Sequence, residues 1–177
     1  MEDNMQEPNN IYPDNKQEMY QLLKEQMKAM LEGEKDVIAN LSNCSALLNE
    51  ALTDINWVGF YLMKQNELIL GPFQGKLACI HIPIGKGVCG TAVKTKEIQL
   101  VKDVHEFPGH IACDSASRSE IVIPLMLQDK VIGVLDIDSP SVARFDEVDA
   151  KELEEIAQLI LEGCAWEIEI RYDFKRA

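Results

Sequence analysis

The sequence predicts an α+β fold in which helices from both ends of the chain lie on one face of a central antiparallel sheet. Two patterns lead there. Near both ends apolar residues recur every three or four positions, the period of an amphipathic helix, while the middle holds short β-branched and aromatic runs bounded by turn residues. Connections of about three residues join neighbouring runs and suit antiparallel hairpins.

Taken in order, residues 1–15 are polar, contain Pro8 and Pro13 and lack periodicity. They read as an arm ahead of a single domain spanning 16–177. From Lys16, Tyr20, Leu23, Met27, Met30 and Leu31 form one helical stripe, which Gly33 ends. Asp36 can cap a second helix, with Val37, Ile38, Leu41, Leu48 and Leu52 as its buried face.

Five strands follow: NWVGFYLM, ELILGPF, ACIHIP, EIVIPLML and KVIGVLDID. Lys64-Gln65-Asn66 and Gln128-Asp129-Lys130 are the expected hairpin connections. Between the third and fourth strands, Gly85 to Ser119 holds a short helix over Val88 to Lys94 and the loop FPGHIACDSASRS, left to cover the second sheet face. Loops this long often carry function. The last helix starts at Asp146 as N-cap and buries Leu153, Ile156, Ile160, Leu161 and Cys164.

Composition narrows the function. The 177 residues are 46% hydrophobic, enough to bury a core unaided. A net charge of -13 without a basic cluster speaks against nucleic acid as a partner. No run approaches the roughly 18 apolar residues of a membrane span, and the acidic start MEDNMQEPNN is no secretory leader. A cytoplasmic protein is expected, in which the five cysteines are thiols for packing, metal binding or redox chemistry rather than a disulfide framework.

Strand alternation puts Trp57, Gly59 and Tyr61 on one face and the more apolar Val58, Phe60 and Leu62 on the face toward the helices. Trp57 and Tyr61 either wall a small-molecule pocket or fill a satellite core beneath the loop. Asp136 and Asp138 share one side of the last strand, unless that strand stops at Leu135 and both are solvated turn residues. Glu120 either joins them or is a solvated strand start. Carboxylates crowded in a pocket can hold raised pKa values and donate a proton, or, ionised, attract an ammonium group.

Among the cysteines, Cys113 lies in a small, polar loop segment that suits an accessible thiol, Cys79 is expected in a strand, and Cys89 near a helix start, where the dipole favours a thiolate. Cys44 and Cys164 read as buried packing residues. His110-x-x-Cys113 and Cys79-x-His81 have permissible ligand spacing, but neither a CxxC pair nor an HExxH helix supports a metal, and the glycines match no nucleotide-binding pattern.

The combination NWVGFYL, LGPFQGKLAC, GVCGTA, HIACD, SRSEIVIPL and GVLDIDS resembles the free methionine-(R)-sulfoxide reductases, stand-alone GAF domains, over most of the chain. The resemblance implies a GAF fold, with Cys113 as catalytic thiol, Cys79 as main resolving thiol and Cys89 as a lesser or alternative participant. It implies that Glu120, Asp136 and Asp138 bind the sulfoxide oxygen and ammonium of free methionine-(R)-sulfoxide and that Trp57 and Tyr61 surround its methyl end. It further implies a thioredoxin-type reductant and no metal, flavin or nucleotide cofactor.

Two other function classes compete. One is a sensory GAF module for a small ligand, and the other a redox-sensing protein whose Cys113 and Cys79 form a regulatory disulfide without turnover. The amphipathic first helix and the arm suit packing across a partner, which makes a homodimer the expected assembly.

Overall fold

A computed structural model describes residues 11–108 and 115–166. The first ten residues of the arm, residues beyond Trp166, and His110 and Cys113 lie outside the described residues.

Helix α1 spans Lys16–Leu31 and α2 Val37–Ala51, each begun by a short polar cap: the Asn15 side chain accepts from the Glu18 amide, that of Asp36 from the Ala39 amide. Ile38 departs from its expected place on the buried face and is 45% exposed. With Val37, Leu41, Cys44 and Leu48 already packed, α2 turns Ile38 to solvent. Ahead of α1, Tyr12 reaches back into the helical core and donates to Gln26 Oε1 at 2.5 Å.

The strands are β1 (Trp57–Lys64), β2 (Glu67–Gly75), β3 (His81–Pro83), β4 (Gln99–Val101), β5 (Ser119–Leu127) and β6 (Lys130–Ser139). They form one six-stranded antiparallel sheet in the order β3-β2-β1-β6-β5-β4. Two expectations need correcting. Strand β3 is only three residues long, so Cys79 precedes it instead of lying within it. Strand β4 and a single 3-10 turn at Val104–Glu106 occupy part of the stretch expected to be loop, because three-residue elements are too short to show periodicity.

Hairpin β1–β2 turns through Gln65 and Asn66, both at positive φ (49° and 68°). That pair of left-handed residues is the turn whose twist matches the strands it joins. Helix α4 (Glu147–Gly163) starts with a reciprocal capping box between Asp146 and Asp149.

The sheet separates two cores. Val58, Phe60, Leu62, Ile121, Ile123, Leu125, Leu135 and Ile137 meet α1, α2 and α4 on one face. On the other, Trp57, Tyr61, Leu68, Val122 and Val134 pack with Val88, Cys89, Ala92 and Val93 of α3 (Gly87–Thr95) and with Val101 and Val104. The split follows the alternation of side chains along β1, β5 and β6. Among the described residues the second face is therefore roofed by α3 together with Val101 and Val104, and the cleft opens beside that roof.

Candidate active site

Strand register builds the floor of the cleft. Asp138 of β6 is the Cα partner of both Trp57 on β1 and Glu120 on β5, and Asp136 is the partner of Gly59 and Val122. Glu120, Asp138 and Trp57 thus form one row across three adjacent strands, with Asp136 two residues along on the same face. Strand β6 runs on to Ser139, so neither aspartate is a turn residue. Glu120 and Asp136 are each 6% exposed and Asp138 is half-buried.

The wall is aromatic. The Trp57 ring stacks between Phe73, at 5.3 Å and 16°, and Tyr61, at 5.8 Å and 27°. Its indole Nε1 donates to the Lys76 carbonyl at 3.2 Å, which ties the ring to the end of β2. Gly59 makes room for this arrangement, since a Cβ there would lie 2.3 Å from Phe73 Cβ and 2.8 Å from Trp57 Cη2. Trp57 and Tyr61 therefore belong both to the second core and to the cleft, so the two readings of them describe one arrangement.

The first turn of α3 closes the opposite side. Cys89 is 3% exposed and its Sγ–H donates to Glu120 Oε1 at 3.9 Å. The thiolate expected from the helix dipole does not form: burial, then the charges of Asp136 and Glu120, push the Cys89 thiol well above the usual range. Two buried carboxyls at contact distance outweigh the partial charge of one helix end.

Burial raises the carboxyls themselves. Desolvation, followed by the charges of Asp136 and Asp138, lifts Glu120 well above the ordinary carboxylate range. Desolvation also lifts Asp136, to about 6, opposed only in part by the neighbouring Cys89, Glu120 and Ile137 amide. Tyr61 is pushed up by burial and by the same acids, so its phenol keeps its proton. At neutral pH the floor can hold a proton as well as negative charge.

The cleft is narrow and open at its mouth, and it is lined by Trp57, Tyr61, Cys89, Glu120, Asp136 and Asp138. Six of the eight residues singled out from the sequence thus converge. Of the other two, Cys79 follows Ala78 of the lining and is held in a disulfide, while Cys44, Cys89 and Cys164 are free thiols. Cys113, the fifth, lies outside the described residues.

The chain is similar to proteins of known identity. Residues 43–161 match the GAF domain family. The chain is 55% identical to the free methionine-R-sulfoxide reductase of Escherichia coli (strain K12), across 82% of this chain and 88% of that one. The chain belongs to the free methionine-(R)-sulfoxide reductase family of GAF domains. Identity to the Saccharomyces cerevisiae reductase is 48%, across 86% and 89% of the two chains. Among solved structures, fRMsr of Staphylococcus aureus in its reduced form is 61% identical with a TM-score of 0.80, covering 82% of this chain and 95% of that one. The free methionine-R-sulfoxide reductase of Neisseria meningitidis in complex with its substrate is 46% identical with a TM-score of 0.83, covering 85% and 91%.

Against this family background, the structure adds lining residues that the sequence reading passed over. Lys76, Lys86 and the 91% exposed Leu77 line the cleft, as does Ser117, whose Oγ accepts from Asn56 Nδ2 at 3.1 Å. Helix α3 begins without a side-chain cap, which leaves its first-turn amides available to an anion. Lysines and a glycine carry no motif of their own, and only the fold reveals that Gly87 sits opposite the acids. The cleft therefore presents acceptors on its floor and donors at its edge, the complement of a zwitterion. Among the described residues no helix is long and apolar enough to cross a membrane.

Proposed function

We propose that this enzyme reduces free methionine-(R)-sulfoxide to methionine by thiol chemistry at Cys113. The observation that carries the reading is the convergence of Glu120, Asp136 and Asp138 beneath the Trp57–Tyr61 wall. An ammonium group supplies the positive charge that makes buried carboxylates tolerable, and a methionine within a protein has none to offer. The uncapped start of α3 suits the substrate carboxylate, and the stacked rings suit its methylthio end.

In this reading the Cys113 thiolate attacks the sulfoxide sulfur while a protonated acid of the floor, Glu120 first, donates to the oxygen. The S–O bond breaks, the substrate sulfur gains two electrons and leaves as methionine, and the oxygen remains on Cys113 as a sulfenic acid. The Cys79 thiol displaces that oxygen as water and closes a disulfide. A thioredoxin-type dithiol then takes up the disulfide by exchange and restores both thiols. That Cys79 is disulfide-bonded supports a redox role for this thiol. Cys89, buried and protonated, serves as an alternative resolving thiol only if the roof opens.

The domain covers 16–177 behind an arm of 15 residues and works in the cytoplasm, where dithiol reductants are supplied. Exposed Ile11 and Ile38 on the N-terminal segments support a homodimer contact there.

The test is NADPH oxidation coupled through thioredoxin and its reductase with free methionine-R-sulfoxide, comparing wild type with Cys113→Ser. Turnover abolished by the substitution supports the reaction and its nucleophile. No turnover by wild type, with dithiothreitol in place of thioredoxin as a check, would remove the enzyme reading and leave a ligand-binding module.

A further inference from the structure

One sulfur and two carboxylates converge at the back of the cleft. Ligand atoms of Cys89, Glu120 and Asp136 lie within 4.8 Å of one another, and all three residues are buried. A second observation is independent of that clustering. Asp136 Oδ1 is buried and has no hydrogen-bond partner among the described residues, although Asp136 lines a cleft open to solvent at its mouth. Such an orphaned acceptor is costly without something to meet it.

The donor set defines what would meet it. A thiolate and two carboxylate oxygens suit a borderline divalent cation of the zinc type, which accepts four ligands at about 2.0–2.3 Å and tolerates mixed sulfur and oxygen donors. Magnesium and calcium demand six or more oxygen ligands and gain nothing from sulfur. Three donors from the chain leave one position facing the cleft, open to water.

We propose that Cys89, Glu120 and Asp136 form a binding site for a zinc-type divalent cation, and that its occupation competes with the amino-acid substrate for the floor of the cleft. The competition rests on the substrate reading above, whereas the cation site does not. Binding converts the Cys89 S–H to a thiolate and releases its proton, together with any proton held between Glu120 and Asp136, to solvent. A 2+ ion then replaces those protons against three negative ligands, and no electron transfer is involved. The cation acts here as a reversible inhibitor, so the metal status of the cell would set the fraction of enzyme open to substrate.

Cobalt(II) gives the site a signature. The full chain is kept with its Cys79 disulfide intact, so that Cys79 contributes no thiolate, and titrated with Co²⁺ without oxygen. The expected result is a thiolate-to-cobalt charge-transfer band saturating at one ion per chain, bleached by Zn²⁺ and by free methionine-(R)-sulfoxide. Cys89→Ser should lose the band, and Glu120→Gln should retain it with affinity weakened by about tenfold or more. Surface pairs such as His81–Glu67 contain no sulfur and cannot produce this band.

A wild-type chain without the band at millimolar cobalt overturns the site, as does a band that persists in Cys89→Ser. A band that saturates but resists the substrate overturns the competition. The readout needs no turnover. A cobalt band in a protein inactive with every reductant would defeat the reductase reading while leaving the cation site standing.

Discussion

Glu120 and Asp138 are direct register partners on neighbouring strands, two carboxyls set face to face by the hydrogen-bond ladder of the sheet. Like charges directly opposite each other destabilise a strand pair, and Asp136 on the same face adds to the repulsion. The fold meets this by leaving protons on the acids, and the proposed substrate meets it with an ammonium group. Catalytic readiness and a standing cost in stability therefore share one origin, which can be measured with the cleft empty.

The first prediction concerns pH. The folded chain holds Glu120 and Asp136 above their unfolded values of 4.5 and 3.8, so through this window it binds more protons than the unfolded chain. Stability then falls as pH rises from about 5 to 7. Glu120→Gln removes the largest contribution, and its melting temperature should fall less steeply over that range, ending above that of wild type at pH 7. Parallel curves from calorimetry would show that the cluster does not govern the slope.

Cys89 should be chemically quiet. Its thiol is buried, donates to Glu120 and is held protonated by burial and the facing carboxyls. Since the thiolate is the reacting species, alkylation of the reduced protein by iodoacetamide at pH 7.5 should leave Cys89 at least about tenfold slower than an unperturbed thiol. Peptide mass spectrometry over time reads each cysteine separately. Labelling of Cys89 as fast as free cysteine would contradict the protonated state assigned to it.

The parts of this architecture that could be read from the sequence are those written in periodic patterns. Tyr20, Leu23 and Met27 repeat with the turn of a helix, and Trp57, Gly59 and Tyr61 alternate as a strand requires, so both faces of the sheet were predictable. The acidic row was half legible. The spacing of Asp136 and Asp138 is local, but the pairing of Glu120 with Asp138 depends on long-range register. Phe73 was missed as a stacking partner because β1 and β2 slip by one residue between Gly59 and Tyr61, a bulge that leaves no mark in the pattern. The thiolate expected at Cys89 failed for a similar reason: helix position is local information, whereas burial and facing charges are not.

Away from the cleft, Asp149 is the residue whose loss should cost most. It is fully buried at the start of α4 and accepts from Tyr20 Oη at 2.8 Å, Lys16 Nζ at 2.7 Å and the Asp146 amide at 2.9 Å. It thereby ties α1 to α4 and closes the capping box. Asp149→Ala strands those donors and should destabilise the protein by about 3–5 kcal/mol, while Tyr20→Phe, which removes one donor, should cost about 1–2 kcal/mol. Urea unfolding gives both values. A near-neutral Asp149→Ala would mean that Lys16 and Arg144, whose Nη1 lies 3.4 Å from Asp149 Oδ1, find water at no penalty.

Gly59→Ala tests whether the aromatic wall is built on a missing side chain. The added methyl would sit 2.3 Å from Phe73 Cβ and 2.8 Å from Trp57 Cη2, closer than carbon atoms can approach, so β1 and β2 must separate or the indole must tilt. Overpacking of this kind costs about 1–3 kcal/mol. Because the displaced ring faces the cleft, KM for the sulfoxide should rise more than kcat falls, and the emission of Trp57 should shift. Gly33→Ala is the matched control, since a Cβ there meets nothing within 4 Å and should change stability by less than about 0.5 kcal/mol. If Gly59→Ala lowers stability but leaves KM and the emission at wild-type values, the methyl is absorbed by spreading of the strands and Trp57 is not held by the space above Gly59. A rise in KM together with the spectral shift would instead tie substrate affinity to the position of that one ring.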